Sequence, residues 1–243
     1  MCYHGSKAYK LNQLQERYQL PSIDHLADKW QMLYHENGFD HVAAPVLVSP
    51  TSVGLFSWGL IPWFTKSTAD ANIIRNQTLN CISEEMFDKP SYRDSLKQGK
   101  RCLIPMTGFF EWKWQDSKGK EKTPYYIYLK DQSIFSAAGI YSTWEDKANG
   151  TTVYSYSVLT TKANTLMEEI HNTKKRMPVI LPQQFEKDWL NPALAKDDVL
   201  ALCQPLPEAL MDAHVISKLI TSRKEPTNVP AVLAKAESGL LFG

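Results

Sequence analysis

The chain has 243 residues, a formal net charge of +1, and 43% hydrophobic against 22% charged residues. This composition excludes disordered chains, collagen-like fibres and small disulfide scaffolds, and the length allows one large or two small globular domains. Because the net charge is close to zero, any binding of nucleic acid must depend on a local basic patch rather than on the charge of the whole molecule.

The chain start and the cysteines predict a soluble intracellular protein. Residues 1–7 contain no apolar signal region, and no stretch approaches the roughly 20 apolar residues that a membrane helix needs. The cysteines form no C-x-x-C pair, which argues against a local zinc ribbon or redox motif: Cys2, Cys81, Cys102 and Cys203. We expect a cytoplasmic protein with reduced thiols that binds no metal ion, no cofactor and no membrane.

In chain order, the hydrophobic pattern first predicts two helices. Leu11, Leu14 and Tyr18 recur at helical spacing, and a second helix is predicted over residues 24–36. Farther along, runs of aromatic and β-branched residues between turn signals predict strands. These strands are expected over residues 46–48, 54–61, 102–106, 109–114, 125–130, 134–141 and 153–160.

Short helices are predicted between and after these strands, over residues 91–98, 164–170, 183–190 and 192–203. Strands and helices do not alternate regularly, which favours a single α+β domain with a mostly antiparallel, barrel-like sheet and peripheral helices. We assign this domain to residues 1–235 and expect residues 236–243 to form a flexible C-terminal tail.

Cys2 is the first candidate for chemistry. It follows the initiator Met, whose removal leaves a thiol and an α-amine on one residue. The amine titrates near about pH 8 and the thiol near about 8.5, so both nucleophilic forms exist at neutral pH. Together they can capture an aldehyde as an imine and then close it to a thiazolidine. The alternative, which Cys2 alone favours, is an incidental second residue.

Glu111 is the second candidate, because it lies among aromatic residues in the segment 108–114. Partial burial by such neighbours raises the pKa of a carboxyl group and suits it to proton transfer. The alternative is a solvated carboxylate paired with Lys113.

His171 is the third candidate and follows the predicted helix over residues 164–170. Its ring, with an ordinary pKa of about 6.5, lies next to a basic cluster of Lys174, Lys175 and Arg176 that can hold phosphates. The alternative is a helix-capping histidine beside a solvated basic face.

Two further features are weaker. Trp63 and Phe64 follow a proline in an aromatic segment that can stack on unpaired bases, although strand tryptophans such as Trp58 are usually buried. Asn80 offers an amide donor and acceptor, but a single asparagine is ordinarily a turn residue.

These residues belong to a set of motifs that, in order and spacing, resembles the SOS response-associated peptidase (SRAP) family over residues 1–190. The motifs lie at residues 1–2, 58–63, 101–105, 108–112, 138–141 with Trp144, 159–164, 170–171 and 176–181. The resemblance implies one α+β domain with a barrel-like core that binds single-stranded DNA and traps abasic sites covalently through the N-terminal cysteine. It also leads us to expect a monomer that associates with the nucleoid when bound to DNA.

The resemblance also assigns roles by position. Cys2 is the crosslinking nucleophile, Asn80 the active-site amide, Glu111 the family's carboxylate, and His171 the general acid and base. Contacts with DNA are expected from His4, Trp63, Phe64, Lys174, Lys175 and Arg176.

The chain departs from the family pattern near the expected DNA. Ile82 replaces an arginine, Glu85 a threonine and Phe110 a tyrosine, while Tyr3 and His4 stand where Gly-Arg is common. Each lost phosphate contact lowers DNA affinity and reduces the salt dependence by about one unit of slope, without altering the covalent chemistry.

Two other functions remain open at this point. Cys2, Glu111 and His171 also suit a cysteine peptidase or a protein that processes its own N-terminus. The exposed aromatics and basic residues alone suit a non-covalent module for binding single-stranded DNA.

Overall fold

The computed structural model describes residues 2–236. Six α-helices lie in this part of the chain: α1 (Leu11–Tyr18), α2 (Thr68–Gln77), α3 (Pro90–Lys97), α4 (Thr165–Ile170), α5 (Glu186–Leu190) and α6 (Lys196–Ala201). The strands within the same residues are β1 (His4–Lys7), β2 (Leu33–Asn37), β3 (Ala43–Ser49), β4 (Ser52–Trp58), β5 (Asn80–Ile82), β6 (Arg101–Met106), β7 (Gly108–Trp114), β8 (Lys122–Leu129), β9 (Phe135–Asp146), β10 (Thr151–Lys162), β11 (Arg176–Pro178), β12 (Ile180–Leu181) and β13 (Met211–Val215).

The strands form two sheets. The first has the order β13-β8-β7-β1-β2, and all of its pairs are antiparallel. The second has the order β11-β10-β4-β3-β6-β9-β12, with β5 added beside β10. Because β9 also pairs with β10, the strands β10, β4, β3, β6 and β9 close into a ring. The fold is therefore α+β with a barrel-like core and helices at its periphery, which confirms the predicted fold class.

The largest buried apolar clusters explain how the sheets hold together. One cluster contains Cys2 with residues of β4, β6, β7 and β10, and therefore lies between the first sheet and the ring. Burial of apolar side chains from both sheets is the main favourable contribution to this packing. Cys2 is therefore buried in the protein interior.

A buried ion pair and its hydrogen bonds hold β1, the strand that follows Cys2, in place. Lys7 of β1 is fully buried and forms an ion pair with Glu36 of β2. Its Nζ also donates to Tyr156 Oη of β10 at 3.0 Å, and that hydroxyl donates to Glu36 Oε1 at 3.4 Å. A buried ion pair is tolerated only where additional hydrogen bonds satisfy its charges. The network joins both sheets and holds β1 in one position.

The helix predicted over residues 24–36 is wrong. A short 3-10 turn, Asp24–Leu26, is followed by irregular chain and then by β2. Leu26, Trp30 and Leu33 are buried at a spacing that also fits a helix, so the pattern alone does not distinguish the two structures. The structure shows a strand at residues 33–37, which pairs with β1 and buries the ion pair of Glu36.

The C-terminal helical predictions are only partly correct. The expected helix over residues 183–190 is a 3-10 turn, Gln183–Phe185, followed by α5, and that over 192–203 shortens to α6. The sequence prediction also missed α2 and the short strands β1, β5, β11, β12 and β13.

Of the expected tail, residues 236–243, only Ala236 belongs to the described part of the chain. Its backbone N–H donates to Val215 O at 2.9 Å. Residues 237–243 lie outside the described residues. Within residues 2–236, no helix is both long enough and apolar enough to cross a membrane.

Candidate active site

The pairing of β1 with β7 brings the chain start beside Glu111. His4 lies opposite Phe110 and Gly5 opposite Phe109, so the residues before β1 run past the next part of β7. The Cys2 thiol and the Glu111 carboxyl group are close enough to shift each other's pKa. Burial, followed by the negative charge of Glu111, raises the pKa of the Cys2 thiol well above its usual value.

Glu111 has the electrostatic setting of a proton-transfer group. Its side chain is buried, and this burial raises its pKa to about 7. Its Oε1 has no hydrogen-bond partner within the described residues and lies 3.8 Å from His171 Nδ1. At neutral pH the carboxyl group is therefore present in both protonation states, which suits it to act as an acid and as a base.

His171 lies at the C-terminal end of α4, a helix whose start is capped by the Asn164 side chain. Its Nδ1 is 2.8 Å from Arg176 O, and because a carbonyl oxygen only accepts, Nδ1 carries the proton. The lone pair therefore belongs to Nε2. Burial lowers the pKa of the ring to about 4, so His171 is neutral at pH 7 and available as a base.

Asn172 attaches the His171 turn to β7. Its Oδ1 accepts from Trp114 N at 3.1 Å, and its Nδ2 donates to Trp114 O at 2.9 Å. An ion pair between Lys113 and Glu169, at 2.7 Å, reinforces this contact between β7 and α4. Because Glu111 lies on the same strand, these contacts set its position relative to His171. Asn172 was not predicted from the sequence, where its only signal is that it follows His171.

Asn80 is at the start of β5, which pairs with β10 in parallel. Its carbonyl oxygen accepts from Tyr92 Oη at 3.0 Å. The side chain is only 7% exposed, yet neither Oδ1 nor Nδ2 has a hydrogen-bond partner among residues 2–236. Buried polar groups are normally satisfied, so a buried amide with two unpaired atoms is typical of a ligand-binding position.

The aromatic and lysine residues expected to bind DNA lie at the surface. Trp63 is 60% exposed and Phe64 45% exposed, with ring centroids 6.0 Å apart. Trp63 Nε1 donates to Asp94 at 3.1 Å, which fixes the orientation of the indole. Lys174 and Lys175 are exposed, and Lys175 pairs with a glutamate of α4. All four side chains are accessible to a DNA strand, and their role stays a prediction.

His4 and Arg176 have partners within the protein. His4 Nδ1 is 2.9 Å from His35 Nε2, and burial lowers the pKa of His4 to about 3, so the ring is uncharged at neutral pH. The Arg176 guanidinium binds both carboxylate oxygens of Glu84, at 2.7 and 2.8 Å, and donates to Thr160 O at 2.6 Å. DNA contacts by His4 and Arg176 stay predictions, and the sequence analysis did not anticipate either partner.

The arrangement therefore places a buried thiol, a carboxyl group of raised pKa and a neutral imidazole next to one another: Cys2, Glu111 and His171. Such a set can activate a nucleophile and transfer protons at a reacting carbonyl group. Among residues 2–236, no group of three or more histidine, cysteine, aspartate or glutamate side chains is arranged to hold a metal ion.

Comparison with known proteins identifies the family. Residues 1–223 match the model of the SOS response associated peptidase (SRAP) family. The chain belongs to this family. The match confirms the resemblance seen in the sequence motifs and extends it beyond residue 190.

SRAP relatives carry a shared name. The chain is 40% identical over 177 residues to the abasic site processing protein YoqW of Bacillus subtilis, covering 72% of this chain and 74% of YoqW. It is 30% identical over 239 residues to the abasic site processing protein HMCES of Xenopus tropicalis, covering 86% of this chain and 67% of HMCES.

Solved structures share the SRAP architecture. A crystal structure of a protein from Bacteroides thetaiotaomicron has a TM-score of 0.89 and 39% identity, covering 97% of this chain and 100% of that chain. A protein from Bordetella bronchiseptica, with a TM-score of 0.74, covers 89% of this chain and 100% of its own, but its 20% identity shows the fold alone.

Proposed function

We propose that this SRAP protein processes abasic sites in single-stranded DNA by forming a covalent crosslink through Cys2 once Met1 has been removed. The observation that carries the proposal is the buried contact of the Cys2 thiol with Glu111, a carboxyl group of pKa about 7 that lies 3.8 Å from His171. The names of the relatives support abasic sites as the substrate.

The first step opens the abasic sugar, which is a cyclic hemiacetal. Protonated Glu111 donates its proton to the ring oxygen, and His171 Nε2 accepts the proton of the C1 hydroxyl group, which releases the C1 aldehyde. Each of the two groups is in the required protonation state at neutral pH, because the pKa of Glu111 is about 7 and that of His171 about 4.

The second step joins DNA and protein. The Cys2 α-amine attacks C1, and the protonated His171 returns its proton to the departing hydroxyl group, so that water leaves and an iminium forms. The thiol then passes its proton to the Glu111 carboxylate while sulfur bonds to C1, which closes the thiazolidine and restores both proton-transfer groups. The unpaired Asn80 amide is suited to orient the amine or the C1 oxygen.

The test uses purified protein whose N-terminal mass proves that Met1 is absent. Wild type and Cys2→Ala are incubated with a single-stranded oligonucleotide that carries one abasic site, and the products are separated on a denaturing gel. We expect a protein–DNA band that requires both Cys2 and the lesion. If the band is absent in wild type that lacks Met1, the proposal is wrong.

A second candidate, self-processing, follows from the same geometry, because Glu111 and His171 lie close to Cys2, the residue that Met1 precedes in the sequence. Expression in a host deficient in Met removal, followed by intact-mass measurement, tests it. Loss of Met1 in wild type but not in Glu111→Ala supports self-processing, whereas retention in both rejects it. A purely non-covalent DNA-binding module is expected to bind undamaged strands and to give no covalent band.

A further inference from the structure

Tyr3 follows Cys2 in the chain and packs partly buried against the same apolar cluster, and the proposed chemistry does not use it. The antiparallel pairing of His4 with Phe110, continued by one residue, places Tyr3 level with Glu111. Residues that face each other in this way have Cβ atoms about 5 Å apart. The Tyr3 carbonyl oxygen accepts from Gly38 N at 2.8 Å, so its backbone is held from the opposite side as well.

The Tyr3 ring joins the buried site to the surface. It is half-buried against the apolar cluster that contains Cys2. On its outer side it contacts Phe39, with ring centroids 5.2 Å apart and the planes tilted by 45°. Phe39 is itself 46% exposed. Tyr3 and Phe39 thus form a continuous aromatic surface, here called the aromatic wall, that runs from the cysteine to solvent.

The Tyr3 phenol also interacts electrostatically with the site. Burial raises its pKa, and the negative charges of Cys2 and Glu111 raise it further. Together with the packing of Tyr3 against the cluster that contains Cys2, this indicates that the wall borders the Cys2–Glu111 pair.

An abasic nucleotide differs from an intact one only in that its base is missing. A protein that binds it selectively therefore needs a surface that fills the space of the missing base and clashes with an intact base. Aromatic side chains stack on neighbouring bases of a single strand without regard to sequence. A ring packed beside the reacting sugar would also exclude an intact base sterically, and such a built-in clash is one of the two ways in which proteins discriminate between close analogues.

We propose that the aromatic wall of Tyr3 and Phe39 occupies the space of the missing base and thereby selects abasic over intact nucleotides at this site. The inference rests on the proposed function and names the property by which the site recognises its substrate. The wall carries no positive charge, so its contribution to binding is expected to be insensitive to salt, unlike that of phosphate contacts.

The test measures binding to two single-stranded oligonucleotides that differ at one central nucleotide. One carries tetrahydrofuran, which resembles the abasic sugar but has no aldehyde, and the other carries thymidine. Fluorescence anisotropy is expected to show that wild type prefers the tetrahydrofuran strand. Tyr3→Ala should reduce this preference by at least about fivefold, whereas Tyr3→Phe, which keeps the ring, should retain it.

The matched control is Tyr154→Ala. Tyr154 is a tyrosine on β10 that is as exposed as Phe39 and, like Tyr3, contacts a phenylalanine, here Phe56 with ring centroids 5.4 Å apart. It should leave the preference unchanged. If Tyr3→Ala fails to fold, Phe39→Ala removes the exposed half of the wall and should also reduce the preference.

An unchanged preference in a folded Tyr3→Ala protein, or in Phe39→Ala where only that variant folds, overturns the inference. Crosslinking of wild type to a true abasic site is measured in parallel. Absence of the crosslink rejects the proposed function, whereas a normal crosslink together with unchanged selectivity in the variants rejects only the role of the wall.

Discussion

At the scale of single residues, Glu111 determines how the proposed reaction depends on pH. The α-amine must be neutral, which favours the reaction as pH rises toward about 8. Ring opening requires protonated Glu111, whose pKa is about 7, and is therefore lost as pH rises above that value. We expect a bell-shaped profile of crosslinking rate with its maximum near neutral pH.

Glu111→Gln keeps the size of the side chain and removes proton transfer. We expect crosslinking to slow by about 100-fold, and the falling limb of the profile to disappear, leaving only the rise due to the amine. Single-turnover rates from denaturing gels between pH 5.5 and about 9 measure both effects. A bell-shaped profile that persists in Glu111→Gln contradicts this role.

A second residue-scale property is the pairing of Arg176 with Glu84. The hydrogen bond from Arg176 lowers the pKa of Glu84 to about 2, so the carboxylate remains charged and holds the guanidinium at neutral pH. A DNA phosphate must compete with this carboxylate for the same donors. The pair therefore weakens whatever contact Arg176 makes with DNA.

Glu84→Gln is expected to release Arg176 for a phosphate. Binding to single-stranded DNA should tighten, and the slope of log affinity against log salt should steepen by about 0.7. The control is Glu85→Gln, which removes the same charge from a neighbouring exposed pair with Lys89. Titrations at several salt concentrations test this, and equal slopes in the two variants would exclude Arg176 as a phosphate contact.

At the scale of elements, the contact between α4 and β7 sets the distance from His171 to Glu111. Asn172 supplies both hydrogen bonds of this contact to Trp114. Asn172→Ala should therefore slow crosslinking by about tenfold, because small displacements of catalytic groups are costly, while leaving DNA affinity unchanged. Asn172→Asp retains the acceptor for Trp114 N and should restore part of the rate.

Crosslinking rate and DNA affinity, measured separately, distinguish positioning from a general loss of stability. Asn149→Ala provides the control, since this asparagine also bonds to backbone and carboxylate groups, but in the turn between β9 and β10. It should not alter the rate. A wild-type rate in Asn172→Ala argues that the contact of Asn172 with Trp114 does not position His171.

Some of the secondary-structure elements could be predicted from the sequence and others could not. The strands β6 to β10 could be predicted, because each contains a run of aromatic and β-branched residues that is typical of a buried strand. The short strand β2 was not, because Leu26, Trp30 and Leu33 fit a helix equally well, and the pairing with β1 and the ion pair of Glu36 identify the strand only in the folded protein.

The residues of the candidate site were also predictable only in part. Motifs pointed to Cys2, Glu111 and His171, and the structure brings these three together. Their supporting contacts join residues far apart in the chain, such as Arg176 with Glu84, 92 positions away, and Asn172 with Trp114, 58 positions away. No local pattern encodes such pairs, because they depend on the packing of elements that are themselves predicted only in outline.

At the scale of the whole molecule, buried histidines determine stability in acid. His4 and His35 share a hydrogen bond on the outer side of β1 and β2, and burial lowers their pKa values to about 3 and about 4. In the unfolded chain both titrate near about 6.5. The unfolded state therefore binds more protons between these values, and the free energy of unfolding must fall as pH decreases from about 6.5 toward 4.

Glu111 acts in the opposite direction, since its raised pKa makes the folded protein bind more protons between about 4.5 and 7 and so favours folding as pH falls. The histidine pair involves two groups whose pKa shifts are as large or larger, and His171, whose pKa is also lowered to about 4, acts in the same direction as the pair. A net loss on the order of 2 kcal/mol by pH 4 is therefore expected. Replacing His4 and His35 together by Phe and Gln should flatten this dependence, whereas His25→Gln, at an exposed position, should not. Urea denaturation between pH 4 and about 7 tests this, and a wild-type decline in the double variant would place the acid sensitivity elsewhere in the fold.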